Sequence, residues 1–209
     1  KQCPHKYYRL RIVKDVQEPE SEAMRYGKEV HLAAEEFIRD GKPIPDKFGF
    51  MRDILEPVKN IAGKQLCEYR LGLTRNLEPC EFFGDGVWWR GIPDFLAIDG
   101  DKATLLDYKT GKSAKYADTK QLALMAACVF LMYPEVKTIK AILLFVVSKE
   151  VVKDEYTYDR RFDIFAKLDT PLRQMESSYN TGVWNPKPNG LCSKWCKVVD
   201  CAHNGGNNY

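Results

Sequence analysis

With 209 residues, 44% of them hydrophobic and 29% charged, the chain has room for one domain with a sizeable core, and disorder is excluded as a whole-chain state. A net charge of +3 permits a local basic groove but does not mark the chain as a polyanion binder. No apolar run is long enough to cross a bilayer, and the first residues lack the apolar core of a signal peptide. A cytoplasmic location without membrane attachment is therefore expected, and there the seven cysteines favour metal or thiol chemistry over disulfides.

Lys1 to Lys14 is basic and aromatic, with Cys3, Pro4, His5, Tyr7, Tyr8 and Arg9 close together. It starts abruptly, so the natural N-terminus is expected upstream. A helix follows Pro19-Glu20-Ser21, with Ser21 as its N-cap and an inward face of Ala23, Gly27, Val30, Ala34, Phe37 and Ile38, ending before Asp40-Gly41. His31 lies on or beside that face. Residues 41–50, with Pro43 and Pro45, read as a connection, and 51–61 as a helix broken or ended near Pro57. Residues 64–74, KQLCEYRLGLT, alternate as one strand. On that spacing Glu68 is better read as a surface partner of Arg70 than as an acid of a site.

A loop over 75–86 holds Cys80 and a candidate strand fragment at 81–83, and 87–90 begins a strand leading into GIPDFLAIDGDKATLLDYKTG, residues 91–111. Asp99-Gly100-Asp101 is the kind of cluster that reverses a hairpin. Asp107 and Lys109, two residues apart on a strand, share a face, and the antiparallel partner can bring Asp94 near them. Two carboxylates on a mostly apolar hairpin need a neutralising cation, and oxygen ligands suit Mg²⁺ or Mn²⁺. A solvated surface ion pair is the plainer alternative.

A helix is expected from about Tyr116 to Met132, burying Leu122, Met125, Cys128, Val129 and Met132, with Gln121 at the start of that face. Residues 138–148 read as a central strand, 156–162 as an extension of the sheet, and 163–179 as a helix tolerating a break near Pro171. Residues 185–190, NPKPNG, form a linker. Beyond it stand Cys192, Cys196 and Cys201, for which Cys3 is the best fourth partner. Four thiolates there could hold Zn²⁺ or an iron–sulfur cluster; His203 or His5 could replace one ligand at zinc, and inert thiols are the alternative.

Taken in order, QCPHKYY, RYGKEVH, GIPD, LLDYKTG, KQLALMAA and the terminal cysteines resemble the RecB-like branch of the PD-(D/E)XK nucleases, which includes CRISPR-associated adaptation nucleases, the AddB nuclease domain and phage exonucleases. The resemblance covers almost the whole chain. It implies an α/β restriction-endonuclease-like core with a central mixed sheet flanked by helices. One nuclease domain would span 1–209, and segments 1–14 and 185–209 would join in a cysteine metal-cluster subregion.

It further implies that His31, Asp94 and Asp107, with the Tyr108 carbonyl, ligate catalytic Mg²⁺ or Mn²⁺. Lys109 would act on the attacking water and the phosphate, Gln121 would position substrate or water, and Glu68 would assist at a second metal or from behind the ligands. A [4Fe–4S] cluster, or Zn²⁺ as the alternative, would sit on Cys3, Cys192, Cys196 and Cys201. The implied activity is a DNA exonuclease on single strands or DNA ends, in recombination, repair or phage DNA processing, with a helicase, recombinase or other DNA-processing partner. A catalytically weak DNA-binding module and an endonuclease or flap nuclease are the alternatives. Two departures from the family pattern are the x3 and x4 cysteine spacings and Met125, where Tyr is common.

Overall fold

The computed structural model describes residues 3–115 and 117–205, so Lys1 and the expected helix start at Tyr116 lie outside the described residues. Two compact units make up the chain: Glu22–Lys167, and a second that joins the N-terminal stretch up to Ser21 with the chain from Leu168 onward.

In the second unit, α1 (Pro4–Tyr7) runs into a π-helical turn, Tyr8–Val13, which Lys14 ends in the left-handed conformation. The sequence reading assigned no helix there. Pro4 at the first helical position explains the start, since its missing N–H would have had no helical partner anyway. The larger unit opens with α2 (Glu22–Arg39), starting directly after Ser21 as expected. Its buried residues are Val30, Ala33, Ala34, Phe37 and Ile38, whereas Ala23 is exposed because the first two turns of the helix are not covered. Fully burying an aliphatic or aromatic side chain of this size is worth about 1.5–3 kcal/mol, enough to fix the helix on the sheet. The connection that follows contains a 3-10 turn, Asp46–Met51, and α3 (Arg52–Lys59) carries Pro57 inside its last turn instead of ending there.

The expected single strand 64–74 is two strands in two sheets: β1 (Lys64–Cys67) and β2 (Leu71–Thr74). The break falls at Glu68, whose φ of 49° is incompatible with a continuing strand. β2 pairs with β3 (Val87–Gly91) in a two-stranded sheet, and residues 81–83 form a turn where a strand fragment was expected.

The five-stranded sheet has the order β1-β4-β5-β6-β7, with β4 at Phe95–Asp99, β5 at Lys102–Lys109, β6 at Thr138–Phe145 and β7 at Glu150–Thr157. The β4–β5 hairpin turns at Gly100-Asp101 with Asp99 opposite Lys102, and Gly100 takes a φ of 58°, as the Asp/Gly cluster predicts. β5 and β6 are parallel and need a crossover, which α4 (Lys120–Met132) supplies. The other strand pairs of this sheet are antiparallel. This is a mixed α/β fold with a central mixed sheet flanked by helices.

On one face Phe95, Ala97, Leu106, Tyr108 and Leu144 pack with α2 and α3. The alternate residues, Leu105, Asp107 and Lys109, point to the face covered by α4. α4 buries Ala126, Ala127 and Phe130 besides the expected Leu122, Met125, Cys128 and Val129, while Met132 is half-buried. β7 begins earlier than the predicted 156–162, whose latter half is helical. The predicted 163–179 helix is two: α5 (Arg161–Ala166) in the larger unit and α6 (Asp169–Thr181) in the smaller. The interruption at 167–168 precedes Pro171, which sits in the first turn of α6 where a missing N–H is tolerated.

Within the smaller unit, Trp184 stacks on Tyr7 and Tyr8 and meets Tyr179 edge-on. Arg9 bonds to both Asp15 and Asp200. These contacts tie the two chain ends into one body.

Candidate active site

Four elements meet where β4 begins. Continuing the Phe95–Leu106 register by one residue sets Asp94 across from Asp107, and both carboxylates are buried, at 8% and 4% exposure. Asp94 is held from two sides. Its Oδ1 lies 2.9 Å from His31 Nδ1 on α2, and its Oδ2 accepts the amide N–H of Tyr108 on β5. Gly27, one turn before His31, lies close enough to Thr110 that a Cβ there would meet its Oγ1 at 3.6 Å, so α2 passes close to the end of β5.

Glu68 joins them because of the chain break. Its amide donates to the Asp94 carbonyl at 3.1 Å, and its side chain shares a hydrogen bond with Asp94. His31, Glu68 and Asp94 each offer a ligand atom, and these atoms all lie within 4.8 Å of one another. One nitrogen and two carboxylate oxygens form a donor set for a hard or borderline divalent cation. The electrostatics point the same way: burial first, then the charge of Asp94, pushes the Glu68 carboxyl up to about 7. Burial and then Asp94 likewise raise the Asp107 carboxyl, with Lys109 partly offsetting them. Burial lowers the basicity of His31, but the Asp94 hydrogen bond and the charges of Asp94, Asp107 and Glu68 outweigh it and leave the imidazole more basic than usual. The excess of negative charge in a half-closed site is the condition that a bound cation relieves.

Asp107 stands outside that closest group. Its Oδ1 accepts a 3.4 Å hydrogen bond from Gln121 Nε2 at the start of α4, while its Oδ2 faces the Lys109 ammonium as an ion pair. Tyr108 packs its ring in the core, edge-on to His31 at 5.9 Å. The structure thus gathers His31, Asp94, Asp107, Tyr108, Lys109 and Gln121 at one end of the sheet.

Glu68 is the residue that strand spacing assigned elsewhere, while the family resemblance gave it an assisting role at the site. Strand periodicity set it beside Arg70 on the surface, yet it is half-buried against Asp94 while Arg70 lies over the rings of Phe82 and Phe83. No Gly or Pro marks the break. The left-handed Glu68 is visible only once β1 and β2 are known to pair with different strands.

In the smaller unit, Cys3, Cys192, Cys196 and Cys201 line one cavity of about 180 Å³, together with His5 and His203. The Lys187 amide donates to Cys3 Sγ at 3.2 Å and the Asn189 amide to Cys192 Sγ at 3.4 Å. His203 Nδ1 is buried without a hydrogen-bond partner. Among the described residues, no three of these cysteine and histidine ligand atoms lie within 4.8 Å of one another. A tetrahedral zinc site with 2.3 Å bonds would hold its sulfurs about 3.8 Å apart.

The sequence pattern of the PD-(D/E)XK nuclease superfamily matches residues 58–201, from the end of α3 to Cys201. The chain belongs to the PD-(D/E)XK nuclease superfamily. The matched stretch contains Pro93-Asp94 and Asp107-Tyr108-Lys109 and starts after His31 and Cys3. Among solved structures, this chain is similar to SSO0001, at 12% identity with 96% of this chain and 81% of that chain covered and a TM-score of 0.40. It is also similar to a candidate exonuclease from Eubacterium rectale, at 13% identity with 99% and 82% covered and a TM-score of 0.48. No curated protein sequence matches the chain. Among the described residues, no helix is long and apolar enough to cross a membrane.

Proposed function

We propose that this protein is a RecB-like, Mg²⁺- or Mn²⁺-dependent DNA exonuclease that hydrolyses phosphodiester bonds on single strands or DNA ends. The observation that carries the reading is the convergence of His31, Glu68 and Asp94 beside the Asp107–Lys109 pair. His31, Asp94 and Asp107 would hold the cation, with the Tyr108 carbonyl and, on the present geometry, Glu68. A divalent cation supplies Lewis acidity toward the phosphate and lowers the pKa of a water to near neutrality.

The protein's own groups do the rest. Asp94, anchored by His31 and the Tyr108 amide, fixes one carboxylate relative to the sheet end. Lys109 places its ammonium against Asp107, where it neutralises charge developing on the phosphate and orients the attacking water. Gln121 holds Asp107 through Oδ1 and keeps an amide oxygen for that water.

We also assign a [4Fe–4S] cluster to Cys3, Cys192, Cys196 and Cys201. All four line one cavity. Amide N–H groups already point at two of the sulfurs. The cluster would staple the two ends of the chain.

The test is cleavage of 5′-blocked, 3′-blocked and circular single strands with Mn²⁺. End-dependent cleavage that disappears in Asp107→Ala and Lys109→Ala is expected. Cleavage of circles would make the enzyme an endonuclease, and salt-dependent binding without hydrolysis would make it a DNA-binding module.

A further inference from the structure

The β2–β3 hairpin is rooted at the metal-binding residues: β2 starts three residues after Glu68, and β3 ends three residues before Asp94. Its inner face, with Leu71 and Leu73, is buried. On the other face the Gly72–Arg90 pairing puts Arg90 beside Gly72, and alternation adds Arg70 and Ile92. Gly72 has a structural reason. A Cβ there would come 2.8 Å from the Cys80 carbonyl, whose residue donates its amide to Gly72 O at 3.0 Å, so the bare backbone lets the loop lie across this face.

The loop then turns and sets Phe82 and Phe83 against both arginines. The Arg70 guanidinium is 5.8 and 5.3 Å from the two ring centroids, and that of Arg90 is 5.3 and 5.6 Å. Arg90 Nη1 also donates to the Phe82 carbonyl at 3.3 Å, which fixes it in place. Phe83 nevertheless remains 72% exposed. Among the described residues neither guanidinium is paired with a carboxylate. A large ring left in water between two uncommitted cations is a combination that neither the core nor the catalytic residues require.

We propose that Phe83, flanked by Arg70 and Arg90, is a stacking platform for an unpaired base of a DNA single strand whose scissile phosphate lies at the Asp94–Asp107 site. The inference rests on the nuclease reading and adds the subsite that grips the strand. Every base has a π-face to lay on the ring, and guanidinium groups serve both the base and the adjoining phosphates. Arg90 is four residues from Asp94, at most about 13 Å of extended chain, so the platform would take a base within a few nucleotides of the bond cleaved. Glu78, Glu81 and Asp85 on the same loop offset the two positive charges, so the grip comes from stacking more than from phosphate attraction and persists in salt.

The test is fluorescence anisotropy of labelled single strands and blunt duplexes with the full chain in EDTA, where cleavage is off. Phe83→Ala is expected to weaken single-strand binding by about 5- to 150-fold at both low and high salt, to leave duplex binding unchanged, and to be rescued by Phe83→Tyr. At 72% exposure the side chain can be removed without loss of the fold. Unchanged single-strand affinity in Phe83→Ala, an equal loss on duplex, or no single-strand binding by the parent would overturn the platform. Mn²⁺-dependent cleavage by the parent and by Asp107→Asn reads the nuclease assignment separately. Phe83-dependent binding without cleavage sinks that assignment alone, and cleavage with Phe83-independent binding sinks only the platform.

Discussion

His31 Nδ1 lies 2.9 Å from Asp94 Oδ1, and this contact ties α2 to the start of β4. Because Asp94 also accepts the Tyr108 amide, its position is fixed before any cation arrives. Asp94→Asn keeps an acceptor for that amide but removes the charge, and His31→Ala removes the nitrogen donor. Each should weaken Mn²⁺ binding by at least the 10- to 100-fold typical of losing an outer partner of a metal ligand, measured by titration calorimetry. Unchanged affinity in both variants would exclude this location for the cation.

The pH dependence follows from three groups that shift in one direction. The Glu68 carboxyl is raised from 4.5 to about 7, Asp107 is raised, and His31 is raised. Each binds protons more tightly in the folded than in the unfolded chain, so the stability tied to them is present at low pH and lost as pH rises through the folded values. For Glu68 the window runs from about 4.5 to about 7. In EDTA the melting temperature should fall from pH 5 to pH 8. Cation binding needs the deprotonated groups, so the rise in melting temperature on adding Mn²⁺ should be larger at pH 8 than at pH 6. A metal-free melting temperature that climbs over this range would contradict the shifts.

Lys109 and Asp107 form a pair in which the lysine is only partly covered, and the proposed hydrolysis gives the lysine a catalytic role. Lys109→Met keeps most of the stem and deletes the charge. The turnover number should fall by about 100- to 1,000-fold, the usual loss for a charge that stabilises the transition state, with little change in KM. Asp107 would then lose the larger of its two lowering influences, leaving only the charge of His31, so the remaining activity should shift to higher pH. Single-turnover rates across pH check both effects.

The β4–β5 hairpin was legible because its determinants are local: an Asp/Gly turn, period-two alternation and two acids separated by one hairpin. Asp107 and Lys109 could be set on one face from spacing alone. The β1–β2 break was not legible, since a non-glycine residue at positive φ leaves no mark in the sequence when tertiary pairing imposes it. That hid both the place of Glu68 and the Phe82–Phe83 face, which depends on a loop folding back over Gly72. The division of the 163–179 helix was missed for a related reason. Its apolar spacing is continuous, but Phe165 is buried in one unit while the chain from Leu168 belongs to the other.

The cysteine cavity yields a last expectation that does not depend on cleavage. Cys3 and Cys201 are far apart in the sequence yet line one space, so a cluster there closes the stretch between them into a loop. Anaerobically purified protein should show the broad visible absorbance of an iron–sulfur centre and four iron atoms per cluster. Cys196→Ser should lose both, and its smaller unit should become more susceptible to proteolysis at 185–190, because only the aromatic contacts of Trp184 and the Arg9–Asp200 pair would then hold the two segments together. The proposed cleavage site lies in the other unit, so a variant that still cleaves with Mn²⁺ while lacking iron would assign the cluster a stapling role. Stoichiometric zinc in place of iron would instead require the four sulfurs to draw together from the spread seen here.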